Sequence, residues 1–309
     1  MRLRPLVLRL VVGSVLASAA EHSEPYAFVA SYSLTLMPFV GRPVKIDVAL
    51  PTMIVYGGDG RSIYGRFNIN GIWRIDLLTR DRVLIPGTEV FAPNHSMKFA
   101  VSPETDRLAV FGDRIERDGG CALYVFEISS GNRKALREEK PCRTFLSDLG
   151  FPHGRKQVFA VATRDAGAPQ PVLFDLTSGA MESIGHGHLE DFHKFSWAPD
   201  GKSVAAEEIF RSGSTKSAKL VLLDPLNFQV QRTLGSLPDS RFSWSPDSKF
   251  LLVLRPQLSC MYGGWSFYAI DASSGKRDAI HSSRCKIDGG ADGWVTKDVY
   301  QAALSAQSK

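Results

Sequence analysis

Apolar and aromatic positions along this chain fall in short runs, and each run stops at a cluster of turn-forming residues. Leu123-Tyr124-Val125-Phe126-Glu127-Ile128 is followed by Ser129-Ser130-Gly131-Asn132 and then Lys134-Ala135-Leu136. The same order recurs in Val172 to Leu176, Thr177-Ser178-Gly179 and Ala180 to Ile184, and again in Phe267 to Asp271, Ser273-Ser274-Gly275 and Arg277 to Ile280. Lys219 to Leu223, Asp224-Pro225 and Val230 to Leu234 follow it with different turn residues. Runs this short, rich in β-branched and aromatic residues and bounded by Gly, Asn, Asp and Ser, predict strands joined by tight turns.

One phrase sets the register of these strands. Phe195 to Lys202, FSWAPDGK, returns as FSWSPDSK at Phe242 to Lys249: a short aromatic strand, a Pro-Asp turn signal, then a second apolar strand. Its proline has counterparts at Pro103, Pro152, Pro199 and Pro246, spaced by 49, 47 and 47 residues. That is the period of four-stranded propeller blades. One step upstream lies Gly57-Gly58-Asp59-Gly60-Arg61-Ser62, and one step downstream Ala291-Asp292-Gly293-Trp294-Val295-Thr296, which keeps the tryptophan and loses the proline. Six register points predict an all-β fold, a six-bladed β-propeller of four-stranded blades. The last unit has room for two strands, Gly293 to Val295 and Asp298 to Leu304. Tyr26 to Leu36 and Val44 to Leu50 then supply its missing strands, so that N- and C-terminal strands close the ring and leave no open edge.

The first twenty residues differ in kind. Arg2, Arg4 and Arg9 precede the apolar run Leu10 to Leu16 and the small residues Ala17-Ser18-Ala19-Ala20, the pattern of a secretory signal cleaved near Ala20. The chain therefore divides into a signal peptide, residues 1–20, and one propeller domain, residues 21–309. No later apolar segment approaches the ~20 residues that a membrane-spanning helix needs. The signal also changes the meaning of the charge. The full chain has 37 basic and 32 acidic residues, but without the three signal arginines the balance is 34 to 32. A basic surface for nucleic acid is therefore not expected. Four cysteines in an exported chain suit disulfides. Three pairings exist, and the repeat selects Cys121–Cys142 and Cys260–Cys285, because each pair brackets the same half of a unit.

FSWAPDGKSVAAEEI and FSWSPDSKFLLVLRP resemble the WD40-like propeller repeat of the TolB-like type, also found in the propeller domains of prolyl-oligopeptidase-type enzymes. The resemblance extends to Phe99 to Leu108 and covers most of the chain after the signal. It implies a free-standing, exported propeller, periplasmic or secreted. TolB-type proteins carry an additional amino-terminal α/β domain and the peptidases a hydrolase domain, and the repeats leave room for neither.

In a propeller the loops that lead into each innermost strand gather around the central channel, so candidate chemistry is sought there. The loop His186-Gly187-His188-Leu189-Glu190-Asp191-Phe192-His193 holds three imidazoles and two carboxylates. His186, His188 and His193 are candidate metal ligands, although their spacing matches no structural zinc signature. Glu190 and Asp191 are candidate ligand- or partner-binding residues. Five residues before the turn proline stand Lys98, Lys194 and Arg241 in three units, a set able to converge on an anionic ligand or an acidic partner loop. Phe99, Phe195, Phe242, Trp197, Trp244 and Trp294 are read as packing between blades. Asn94-His95-Ser96 has the form of a glycosylation sequon. Gly264-Trp265-Ser266-Phe267-Tyr268 fails the nucleophile-elbow pattern at its last position, and no other catalytic motif is found. The expected function is a non-enzymatic, monomeric binding or scaffold protein with a protein partner in the cell envelope and no cofactor. The alternatives are a small metal-dependent hydrolase or lactonase-like propeller enzyme and a small-anion-binding module.

Overall fold

The computed structural model describes residues 26–30, 34–37, 44–46, 53–67, 71–91, 97–113, 120–152, 154–165, 167–184, 192–212, 215–236, 241–256, 265–282 and 292–307. The signal segment, the sequon, His186, His188, Glu190, Asp191, Cys260 and Cys285 lie outside the described residues.

Three short strands come first: Tyr26–Ala30 (β1), Leu34–Met37 (β2) and Val44–Ile46 (β3). Five runs of four consecutive strands follow. The first is Met53–Tyr56 (β4), Ser62–Arg66 (β5), Trp73–Asp76 (β6) and Arg82–Leu84 (β7). The second is Lys98–Val101 (β8), Arg107–Asp113 (β9), Cys121–Glu127 (β10) and Arg133–Glu139 (β11). The third is Thr144–Gly150 (β12), Gln157–Arg164 (β13), Gln170–Asp175 (β14) and Met181–Ser183 (β15). The fourth is Phe192–Trp197 (β16), Val204–Ser212 (β17), Thr215–Leu223 (β18) and Val230–Ser236 (β19). The fifth is Arg241–Trp244 (β20), Phe250–Pro256 (β21), Trp265–Asp271 (β22) and Arg277–Ser282 (β23). Asp292–Val295 (β24) and a helix, Lys297–Ala306 (α1), complete the described chain.

Each run of four is one antiparallel sheet in sequence order, and the first strands of successive sheets lie side by side: β4 beside β8, then β12, β16, β20 and β24. The molecule is a β-propeller. Two turns recur in its blades. In the turn after the first strand, Gly60, Thr105, Gly201 and Ser248 are left-handed, and each donates its N–H to a carbonyl three residues back at 2.9 to 3.1 Å. After the third strand, Asp76, Glu127, Asp175, Asp224 and Asp271 each accept, at the backbone carbonyl, an N–H from the residue four ahead at 2.7 to 2.8 Å. An aspartate or glutamate that bonds its own turn is thus part of the unit, once in each of the five runs.

The expectation of six blades is corrected to five. The repeat is realised five times, and the remaining four-stranded sheet, in the order β24-β1-β2-β3, is no sixth copy of it. Its strands come from both ends of the chain, with Tyr26 opposite Val295 and Val29 opposite Asp292. Nor is the fold wholly β. Asp298 to Leu304, expected as a strand, lies in α1, and the physical reason is visible in its burial: Val299, Tyr300 and Ala303 are buried at helical spacing against Leu36, Val44 and Ile46. Asp298 stands in the first turn, where a negative charge suits the helix dipole, and pairs with Arg61 at 2.5 Å. Thr296 N–H donates to the Gly60 carbonyl at 3.1 Å, which ties this end of the chain to the first blade.

Of the aromatic residues assigned to packing between blades, Phe99, Phe195 and Trp244 are buried, and Trp197 and Phe242 pack against the same cores. The Cys121–Cys142 bond is present and joins the start of β10 to the segment after β11. Closing a loop over 21 residues restricts the unfolded chain enough to contribute about 3 kcal/mol in the chain-entropy account. Reduction should therefore lower the stability measured by chemical denaturation by about that amount. An unchanged midpoint after complete reduction contradicts the assignment.

Candidate functional site

The first strands of the five blades line a central cavity of about 450 Å³. Tyr56, Phe195, Trp197, Phe242 and Trp244 give it aromatic walls, and Arg241, the first residue of β20, adds a cation. One end is crowded by the repeat turns. A methyl group added at Gly58 would meet the Pro103 carbonyl at 2.7 Å, and the Asp200 N–H donates to Ser248 Oγ at 2.9 Å, joining the two copies of the turn phrase. The other end is where strands β8, β12, β16 and β20 begin, and the charged groups gather there.

Two of these strands are irregular at the same level. In β12 the pairing with β13 slips between Ser147 and Gly150, and in β16 the pairing with β17 slips between His193 and Ser196. Asp148 (φ 47°) and Lys194 (φ 57°) are left-handed at these bulges, and among the described residues they are the only non-glycines inside strands in that conformation. Such a backbone costs of order 1–3 kcal/mol per residue, and bulges of this kind re-aim side chains next to binding sites.

The bulges bring opposite charges together. Lys194 Nζ lies 2.8 Å from a carboxylate oxygen of Glu207, a buried residue of β17 that stands opposite His193 in the ladder. Asp148 accepts a hydrogen bond from Ser147 Oγ at 3.1 Å. Burial pushes the Asp148 carboxyl above the usual carboxylate range, and this outweighs the Ser147 bond and the charges of His193, Lys98 and Lys194, which act in the opposite sense. Lys98, Lys194 and His193 therefore share one neighbourhood, centred on a desolvated carboxylic acid. Arg241 lies on the cavity wall.

Asp148 departs from the pattern of the repeat. Four positions before the turn proline, Phe99, Phe195 and Phe242 are aromatic, whereas the third blade has Asp148. Aligning Pro152 with the other three prolines exposes that substitution, a carboxylate where its siblings carry a phenyl ring.

Among the described residues the donors close enough to hold a metal ion are Cys121, Glu139 and Cys142. They do not fit one, since both sulfurs are spent in the disulfide and the Glu139 carboxylate accepts from Arg137, Thr144 and Arg143. Burial alone would raise the Glu139 pKa, but these bonds hold it at about 2.

The architecture and its channel define the class as β-propellers. No protein-family model matches the chain, and no curated protein matches it in sequence. In structure it is similar to TolB from Acinetobacter baumannii, at 16% identity and a TM-score of 0.60, over 88% of this chain and 66% of that one. It is also similar to oligogalacturonate lyase from Vibrio parahaemolyticus, at 13% identity and 0.53, over 83% and 74%. A chain of a nidogen/laminin complex aligns at 11% identity and 0.55, over 84% and 94%. The fold is that of a TolB-like β-propeller.

Two outcomes follow for the site. A carboxyl whose pKa is raised by folding keeps a proton that the unfolded chain has already released, so it costs stability as pH climbs through the interval between the two values. Asp148→Asn should therefore gain on the wild type as pH rises above the ~3.9 of an unperturbed aspartate. Thermal melts of both proteins check this, and a difference that is flat or reversed with pH contradicts it. Lys194→Ala withdraws a half-exposed cation from buried Glu207 and should lower stability by about 1–2 kcal/mol. In a double-mutant cycle with Glu207→Gln, additive losses would show that the pair is not coupled.

Proposed function

We propose that this chain is an exported, non-catalytic propeller that binds a protein partner of the cell envelope at the open end of its channel. The mixed charge of that end carries the proposal. Lys98 and Lys194 stand there with Asp148 and Glu207, and Lys194 already has a carboxylate partner. Lysines backed by carboxylates, around aromatic walls, suit the polar rim and apolar centre of a protein interface. A small-anion pocket calls for cations without such internal neutralisation, so this geometry favours a protein over the anion module. Export is supported by the Cys121–Cys142 bond, which persists in oxidising compartments, and by the arginine-led signal pattern at residues 1–20. The likeness to TolB is in keeping with an envelope role, and the likeness to a chain of the nidogen/laminin complex with protein recognition by such a propeller.

One observation favours the second reading, a small propeller enzyme. A carboxyl raised above its ordinary range beside an imidazole is the pattern of a general acid, and a similar architecture occurs in oligogalacturonate lyase. His186, His188 and His193 are then the ligands to test for metal.

Cross-linked capture from the native envelope separates the two. The wild-type chain should retain a defined partner, and Lys98→Glu with Arg241→Glu should lose it, while Lys202→Glu and Lys249→Glu on the opposite turns should not. Retention of the partner by the Lys98/Arg241 variant refutes the mouth as the interface. A stoichiometric metal in the purified protein, lost when His186 and His188 become alanine, refutes the non-catalytic reading.

A further inference from the structure

The central cavity of about 450 Å³ is of the size that small-molecule sites have, and its lining is graded along the channel. Tyr56, Val101, Gly150, Trp197 and Trp244 each stand two residues before the turn position of their blade, at Gly58, Pro103, Pro152, Pro199 and Pro246, and all five line the cavity. One level of the channel therefore carries large rings from the first, fourth and fifth blades. The second and third blades place only a valine and a glycine there. Two of the rings are fixed before any ligand arrives. Trp244 Nε1 donates to the Ser196 carbonyl at 2.9 Å, and Trp197 lies against the Gly150 backbone and meets the Phe159 ring edge-on at 5.6 Å. Aromatic surfaces already held in place receive a flat guest at little ordering cost.

Among the described residues this lining contains no carboxylate, and its one charged residue is Arg241. Arg241 stands five residues before Pro246, further from the turns than the level of the rings. Lys98 and Lys194 hold the same offset in their blades but do not line the cavity. The turns crowd the far end, so a guest enters from the end where Arg241 stands and leads with its apolar part. We infer that the channel is a binding site for an aromatic carboxylate, its rings against Tyr56, Trp197 and Trp244 and its carboxylate at Arg241. Arginine suits that end because its planar fork offers paired donors to a carboxylate. The site needs no protein partner, so it stands or falls apart from the partner-binding reading.

Naphthoate is the probe, with uncharged naphthamide and the ring-free anion acetate as controls. In calorimetry the wild type should bind naphthoate saturably, one per chain, and more weakly as salt is raised. Naphthamide should bind at least about tenfold more weakly, and acetate should give no response. R241Q changes an exposed residue and should bring naphthoate down to the level of naphthamide while leaving naphthamide unchanged. W197L should weaken both naphthalenes. It removes the ring without breaking a hydrogen bond, because the Trp197 Nε1 has no partner, and a thermal melt checks that the variant is folded. Absence of saturable naphthoate binding, equal affinity for naphthamide, or wild-type affinity in R241Q or in folded W197L overturns the site.

Discussion

No blade of this propeller buries its apolar faces alone. Tyr64, Ile72 and Ile85 of the first blade share a core with Phe99, Leu108 and Phe126 of the second, and Leu123 of the second shares one with Leu146 and Phe174 of the third. Phe159 of the third packs with Phe195 and Phe228 of the fourth, whose Leu220 and Leu222 in turn join Trp244 and Leu251 of the fifth. The first blade's other face is covered by Leu36, Val44, Ile46 and α1. Stability is therefore a property of neighbouring pairs, as in other stacked repeats. This also explains why the two ends of the chain meet in one sheet: without it, the outer faces of the first and last blades would stand open.

Packing between blades fixes the inner strands and leaves their starting ends free to vary. Asp148 and Lys194 use that freedom. Each occupies a left-handed bulge that a strand can tolerate only if the surrounding sheet determines it, and each places a charged group at the open end of the channel. The two bulges lie on adjoining strands, so a carboxylic acid, an imidazole and two lysines come from three blades into one neighbourhood. Gly150, two residues beyond Asp148, allows Trp197 of the next blade to lie against the backbone, since a methyl group there would meet the indole at 2.8 Å. The bulge, the close approach and the desolvated acid belong to one local arrangement.

The repeat made much of this legible. The four prolines locate four of the blades, and Cys121 and Cys142, which are bonded, bracket one half of a unit. Lys98 and Lys194 stand at one fixed offset from the prolines. The bulges were not legible: Lys194-Phe195-Ser196-Trp197 and Arg241-Phe242-Ser243-Trp244 read alike, yet only the former slips its register. The difference comes from what each strand packs against, which a local pattern does not record. The sixth register point misled for a related reason. Trp294 kept the phrase while the chain after it turned helical, because α1 covers the first blade and the closing sheet and does not continue the repeat.

The account turns on Asp148 being a desolvated acid among cations at the open end of the channel. A carbon-13 NMR titration of its side-chain carboxyl, assigned by comparison with Asp148→Asn, reads this directly. The account predicts a midpoint above the ~3.9 of an unperturbed aspartate, moving further up when Lys98 and Lys194 are replaced by glutamine. A midpoint at or below the ordinary value, unaffected by those replacements, would contradict it.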